Sequence, residues 1–96
     1  MYMITLRLVG FRGTPEAPND LRELLTAHFA PTDRIEHLWA STDTGRIDLV
    51  LFVLAGSEAE ALLTARAACL RAVERTPRLH AWHLSDHADS SGRNFP

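Results

Sequence analysis

The order of the hydrophobic patterns along the chain is the feature that most constrains its fold. Met3–Val9 alternates in the manner of a β-strand, and Asp20–Phe29 repeats apolar residues at helical spacing. Two further strand patterns meet at a turn over Asp43–Gly45. A long alanine- and leucine-rich helical pattern and a last alternating run follow. The predicted order is therefore strand, helix, strand, strand, helix, strand.

Local sequence signals give the boundaries of these elements. Asp20 and Glu23, and again Ser57 and Glu60, are spaced as in the capping boxes that begin helices. A proline follows each helical pattern, and proline cannot continue a helix because it lacks an amide hydrogen. The predicted helices are Asp20–Phe29 and Ser57–Arg75, and the predicted strands are Met3–Val9, Arg34–Ser41, Arg46–Leu54 and Leu79–Leu84.

These elements fit one α+β architecture. Right-handed crossovers in both strand–helix–strand units give an antiparallel sheet in the order 4-1-3-2, with both helices on one face. This arrangement is the ferredoxin-like βαββαβ sandwich. We expect a single domain over residues 1–86, because 96 residues suffice for one hydrophobic core, and a flexible polar tail over residues 87–96.

Charge and composition argue against two classes of partner. The formal net charge of -2 and the isoelectric point of about 6.2 provide no basic surface for a nucleic acid. No apolar run approaches the roughly 18 residues that span a bilayer, and the first residues lack the pattern of a signal peptide. We therefore expect a cytoplasmic protein without nucleic-acid or membrane partners.

The sheet face that carries no helix contains the first candidate site, and the register of the central hairpin decides which residues it includes. A three-residue turn over Asp43–Gly45 would direct His37 and Trp39 toward the helices. The opposite face would then be apolar enough to bind a second copy, with Arg7 and Asp48 close enough for an ion pair or a ligand. The predicted interface residues are Leu38, Val50, Phe52 and Leu54.

Polar residues on apolar stripes form the second candidate site. Arg66 lies among the apolar positions of the second helix, His28 among those of the first, and His37 on the strand face assigned to the interior. A pocket between the sheet and the helices would use His37 as an acid or base and Arg66 to hold an anion, with His28 as a ligand-binding residue. Alternatively, Arg66 extends to the rim of the protein and His28 faces water.

Metal and cofactor sites have little support in the sequence. His80 and His83 point to opposite faces of a predicted strand, so their rings cannot hold one ion together. Cys69 is the only cysteine, and the sequence lacks the phosphate-binding glycine loops and nucleophile motifs of common enzymes. We expect neither a metal nor a cofactor.

The chain resembles ACT-like regulatory domains over Ile4–Leu84. The resembling features are a strand, a loop, a helix, the hairpin IEHLWASTDTGRIDLVLFV and a second helix. Such domains dimerise and bind amino acids or other small ligands at the loop after the first strand. The resemblance therefore implies a ligand site in the loop Gly10–Asn19, which contains Phe11 and Arg12.

The open apolar face is also similar to that of the dimeric α/β-barrel group, whose sheets pack face to face. Members of that group include small oxygenases, isomerases and cyclases. We therefore expect a homodimeric binding or accessory module that recognises a small ligand or a partner protein. The alternative is a small cofactor-free enzyme of the barrel type.

Overall fold

The computed structural model describes residues 1–11 and 16–85 as a four-stranded antiparallel sheet with two α-helices. The predicted tail lies outside these residues. Within them, neither helix combines the length and the apolar character needed to cross a membrane. The strands are β1 (Tyr2–Gly10), β2 (Ile35–Asp43), β3 (Arg46–Val53) and β4 (Trp82–Leu84), and the helices are α1 (Leu21–Thr26) and α2 (Glu58–Arg75).

The strand order is β2-β3-β1-β4, which is the predicted order counted from the opposite edge. One face of this sheet forms the hydrophobic core together with both helices. Small residues on the inner side of α2 let the helix lie close to the strands, and α1 adds Leu21 and Leu25. The central buried residues are Ile4, Leu6, Leu8, Ile47, Leu49, Leu51, Val53, Ala61, Ala65, Cys69 and Ala72. Both helices therefore cover the same face, as predicted, and leave the other face open.

The turn between β2 and β3 has two residues, Thr44 and Gly45, and the predicted three-residue turn is wrong. Gly45 adopts a φ of 68°, a left-handed conformation that glycine reaches without a steric penalty. Asp43 consequently pairs with Arg46. The register of β2 against β3 therefore differs by one residue from the predicted register.

This shift exchanges the two faces of β2, because successive side chains of a strand point in opposite directions. Leu38 is buried in the core, whereas Trp39 is 62% exposed on the open face beside His37. The predicted interior position of His37 and the predicted open-face position of Leu38 are both wrong. Ile35 still pairs with Val53 as predicted, because a bulge between Ile35 and His37 inserts one residue into β2.

Two elements are shorter than predicted. α1 ends at Thr26 rather than Phe29, because the amides of His28 and Phe29 bond three residues back, in the tighter pattern of a 3₁₀ turn. β4 begins at Trp82 rather than Leu79, because another 3₁₀ turn occupies the preceding segment.

The two helix starts differ in their capping. At α2, the amide of Glu60 donates to Ser57 Oγ at 3.1 Å, which confirms the Ser57 half of the predicted capping box. At α1, the Asp20 side chain makes no capping bond, and the predicted capping box there is wrong. The Asp20 carboxylate instead pairs with Arg78 at 3.1 Å, which links the start of α1 to the segment after α2.

Candidate functional site

The open face, defined as the sheet surface opposite the helices, contains side chains from all four strands. Strand pairing arranges these side chains in transverse rows. Apolar and aromatic groups gather at one end, charged groups lie next to them, and a histidine lies at the far corner. The rows are His37, Phe52 and Met3; Trp39, Val50 and Thr5; Ser41, Asp48 and Arg7; and Asp43, Arg46, Val9 and His83.

Two arginines and two aspartates form a charge cluster on this face. Arg7 Nε lies 2.8 Å from Asp48 Oδ1, so the predicted ion pair is confirmed. Arg46 pairs with the second oxygen of Asp48 and with Asp43, both at 3.4 Å. Each pair is partly exposed and contributes at most about 1 kcal/mol to stability. The cluster of Arg7, Arg46, Asp43 and Asp48 is neutral as a whole.

Aromatic rings lie at both ends of the open face. The rings of His37 and Phe52 make an edge-to-face contact with centroids 6.3 Å apart. At the other end, Phe11 lies against His83 with centroids 4.9 Å apart. Of the predicted interface residues, Val50 and Phe52 lie on this face. Leu54 follows the end of β3 and is partly exposed.

The structure separates the predicted catalytic residues. Arg66 is half-buried on the helix side of the sheet, where its Nη1 donates to the carbonyl of Ser85 at 3.4 Å. His37 lies on the opposite side of the sheet, next to Phe52. One pocket therefore cannot hold both side chains, and the predicted pocket between sheet and helices is not formed by this pair.

His28 contributes to a packing contact through its backbone. Its carbonyl accepts hydrogen bonds from Arg71 Nη2 and Nε at 3.1 and 3.3 Å. The same guanidinium pairs with Asp33 at 2.6 Å, and Asp33 accepts a further bond from the amide of Ala30 at 2.7 Å. This network joins α2 to the segment between α1 and β2.

The predicted ligand loop is described in part. Phe11 is exposed at the end of β1, and Arg12 lies outside the described residues. A cavity of about 380 Å³ separates the described end of this loop from the β2–β3 turn. Its wall includes Glu16, Asn19 and Asp43, so its lining is polar and acidic.

Sequence reasoning missed a contact between Arg22 and Trp39. The Arg22 guanidinium lies over the Trp39 ring at 5.9 Å from its centroid, which is a cation–π distance. The sequence signal for the position of Trp39 was the Thr44-Gly45 pair, because a turn of two residues places the Trp39 side chain on the open face. With the inward register, no such contact was foreseeable.

The described residues contain no group of side chains placed to hold a metal ion, and their one thiol is unreactive. No group of three or more His, Cys, Asp or Glu side chains within residues 1–11 and 16–85 is arranged to hold a metal ion. Cys69 is fully buried, and its burial raises the pKa of the thiol to about 12, with a smaller contribution from the charge of Asp33. A thiol held neutral in this way is a poor nucleophile and a poor metal ligand.

Comparison with known proteins adds no functional information. The chain matches no protein-family model, and no curated protein and no solved structure matches it significantly. The open face is therefore the candidate site because of its own geometry, which brings together apolar, aromatic and charged side chains on an uncovered surface.

Proposed function

We propose that the chain is a ferredoxin-like binding module that forms a homodimer by packing its open face against the same face of a second copy. The apolar side chains of that face carry this proposal. Met3, Val50 and Phe52 adjoin one another on neighbouring strands, and the exposed ring of Trp39 extends the patch to the third strand. Contiguous apolar surface is unfavourable in water and is typical of interaction sites.

The charge cluster is compatible with a second copy. Its two arginines and two aspartates neutralise one another, so two open faces meet without net repulsion. A two-fold axis also allows each arginine to approach an aspartate of the other copy, as in self-complementary interfaces. The same pairing argues against nucleic acid, because both arginines of the face are already engaged by carboxylates.

The size of the face sets the expected strength of the dimer. Strands spaced about 4.8 Å apart with about 3.3 Å per residue give about 14 by 26 Å for β1, β2 and β3, and the three-residue β4 adds little, so the face is on the order of 400 Å² in projection. Two such faces total about 800 Å² in projection, and the relief of the side chains brings the accessible area near the lower end of specific interfaces, about 1,000–1,200 Å². We therefore expect a reversible dimer whose population rises with protein concentration.

Catalysis by His37 and Arg66 has less support than binding, because the sheet lies between the two side chains. The face-to-face dimer itself is the arrangement that the dimeric α/β-barrel group uses. The geometry of the described residues therefore favours a binding module over the enzyme alternative.

Sedimentation analysis of the variant Phe52→Asp tests the proposal. A carboxylate in the middle of the apolar patch would be buried twice in a symmetric dimer, once from each copy. We expect self-association to weaken at least about tenfold, or about 1.4 kcal/mol. The wild-type mass should rise above the 10.7 kDa of one chain as concentration increases.

The matched control is Leu63→Asp, which changes a 70% exposed leucine on the outer side of α2. Its self-association should equal that of the wild type. Met3→Glu provides a second open-face variant in case Phe52→Asp unfolds the domain, which circular dichroism would reveal. A wild-type protein that remains monomeric at all concentrations, or open-face variants that dimerise normally, would exclude the proposed interface.

A further inference from the structure

Among the residues that the structure describes, the outer edge of β2 has backbone groups without partners at regular intervals. The amide of Gly10 donates to the carbonyl of Gly45 at 3.0 Å, so Gly45 and every second residue after it direct their backbone groups toward β1. The intervening residues of β3 bond to β2. By the same alternation, the β2 residues whose amides and carbonyls point away from the sheet are Leu38, Ala40 and Thr42.

This edge has few of the features that normally prevent further strand pairing, and its charged residues, Glu36 and Asp43, lie near its two ends. β2 has nine residues and contains no proline, and the whole chain contains no lysine. Its bulge disturbs only the first residues of the strand. Natural edges of this length usually carry such protective features, because an unpaired edge is a template for another strand.

A groove runs beside this edge, between β2 and α1. It consists of two adjoining cavities of about 370 and 300 Å³, both lined by Arg22. Its apolar wall comes from the helix and from the inward residues of the strand. The apolar lining residues include Leu21, Phe29, Ile35, Leu38 and Ala40, and polar residues such as Asn19, Thr26 and Glu36 line the groove as well.

Arg22 is the charged residue that lines both cavities, whereas Glu36 lines only the first of them. Its guanidinium contacts the ring of Trp39 at the edge of the sheet. Within the part of the chain that the structure describes, no carboxylate forms an ion pair with it. Among the described residues, the second cavity is lined by Arg22 and by no carboxylate, so an occupant with a negative charge is favoured at that point.

We propose that the edge of β2 binds an extended peptide segment of a partner protein, which adds a fifth strand to the sheet. Its backbone pairs with the outward groups of Leu38, Ala40 and Thr42, and its alternate apolar side chains enter the groove. An acidic side chain of the segment pairs with Arg22. Main-chain bonds then supply affinity, and the groove and the charge supply selectivity. This site adjoins the proposed dimer interface at Trp39, which belongs to both, and otherwise uses the outer edge of β2 and α1.

A second copy of β2 is a poorer occupant on grounds of charge. Suppose that two copies of β2 paired antiparallel about a two-fold axis near Ala40. Arg22 lines the groove next to Leu38 and Ala40, at the middle of the strand, so the axis would bring the Arg22 side chains of the two copies toward each other. The side chains that β2 itself would present to the groove, Ala40 and Thr42, carry no negative charge. An acidic peptide removes this repulsion.

Selection from a phage-displayed library of random octapeptides tests the proposal. We expect enrichment of sequences that alternate apolar or β-branched residues and carry an acidic residue on the groove side. A synthetic peptide of the enriched sequence, added to the isotopically labelled protein, should shift the amide resonances of β2 and α1. The bound peptide should bury the ring of Trp39, and the fluorescence of that tryptophan should therefore change.

Two variants separate backbone pairing from charge. Ala40→Pro removes an outward amide that makes no bond within the sheet, so the fold should persist while peptide binding is lost. Arg22→Glu should weaken binding of the acidic peptide at least about tenfold and favour a peptide with lysine in its place. Arg75→Glu, which lines neither cavity, is the charge-matched control and should bind normally.

Three outcomes would overturn the proposal. The first is a selection on the wild-type protein that enriches only the peptide sequences also enriched by a selection on the Ala40→Pro variant. The second is a peptide that shifts the amide resonances of residues on the open face instead of those of residues that line the groove. The third is concentration-dependent shifts of β2 without peptide, which would identify a second copy as the occupant. Phe52→Asp should keep peptide binding, and Ala40→Pro should keep dimerisation, so failure of one proposed site is distinguishable from failure of the other.

Discussion

Replacing Arg71 with methionine should destabilise the domain more than the loss of an ordinary surface charge. The guanidinium bonds the carbonyl of His28 and pairs with Asp33 at 2.6 Å, and it joins α2 to the segment that leads into β2. Methionine keeps most of the apolar stem, so the change mainly removes the polar head. Among the described residues, the Asp33 carboxylate would then retain only its bond from the amide of Ala30.

The degree of burial determines the size of this effect. The side chain of Arg71 is 30% exposed and that of Asp33 is 15% exposed, so water screens the pair only in part. Charge-assisted hydrogen bonds in such settings contribute about 1.5–3 kcal/mol. We expect the free energy of unfolding to fall by about 2 kcal/mol, which corresponds to roughly 10 °C in Tm for a domain of this size.

Urea unfolding monitored by tryptophan fluorescence measures the loss, since Trp82 is buried in the core. Arg78→Met is the matched control, because it breaks the ion pair with Asp20 between side chains that are 58% and 49% exposed. That variant should lose at most about 0.5 kcal/mol. Equal losses in the two variants, or an absence of coupling between Arg71→Met and Asp33→Asn in a double-mutant cycle, would refute the reasoning.

Two further experiments test the register and the core. Leu38→Ala should lower the free energy of unfolding by about 3 kcal/mol, because it leaves a cavity in the core. Trp39→Ala should lower it by less than about 1 kcal/mol, because the ring is exposed. If urea unfolding gave the reverse order, the register predicted from the sequence would be correct. Cys69, whose thiol pKa is raised to about 12 by burial, should react with a disulfide reagent at mildly alkaline pH only through unfolding of the domain. Its labelling rate should rise with urea, and complete labelling of the native protein within seconds would contradict its burial.

The order of the elements was predictable because it depends on many residues at once. The repeat of α2 covers 18 residues and the alternation of β1 covers nine, so no single residue decides either assignment. Chain connectivity and crossover handedness then leave few strand orders. The ends of the elements were less predictable, since the 3₁₀ turns after α1 and before β4 depend on local hydrogen bonds that have no clear periodicity.

The ion pair of Arg7 and Asp48 was predictable for a related reason. Both residues lie on central strands whose pairing follows from the buried alternation of β1 and β3. β2 lacks this constraint because it is an edge strand and most of its side chains are exposed. Nothing in its composition outweighs the length of the adjoining turn, so a difference of one turn residue shifted the pairing of the strand from His37 to Asp43.

That single residue changes the functional interpretation of the chain. With three residues in the turn, His37 faces the helices and could act with Arg66 in a pocket. With two, His37 and Trp39 lie on the open face, and Leu38 replaces them in the core. The shift therefore moves the aromatic groups of β2 away from the predicted small-molecule pocket and onto the surfaces proposed above for a second copy and for a peptide. Trp39 stands where these surfaces meet, because its ring extends the apolar patch and also contacts Arg22 at the groove.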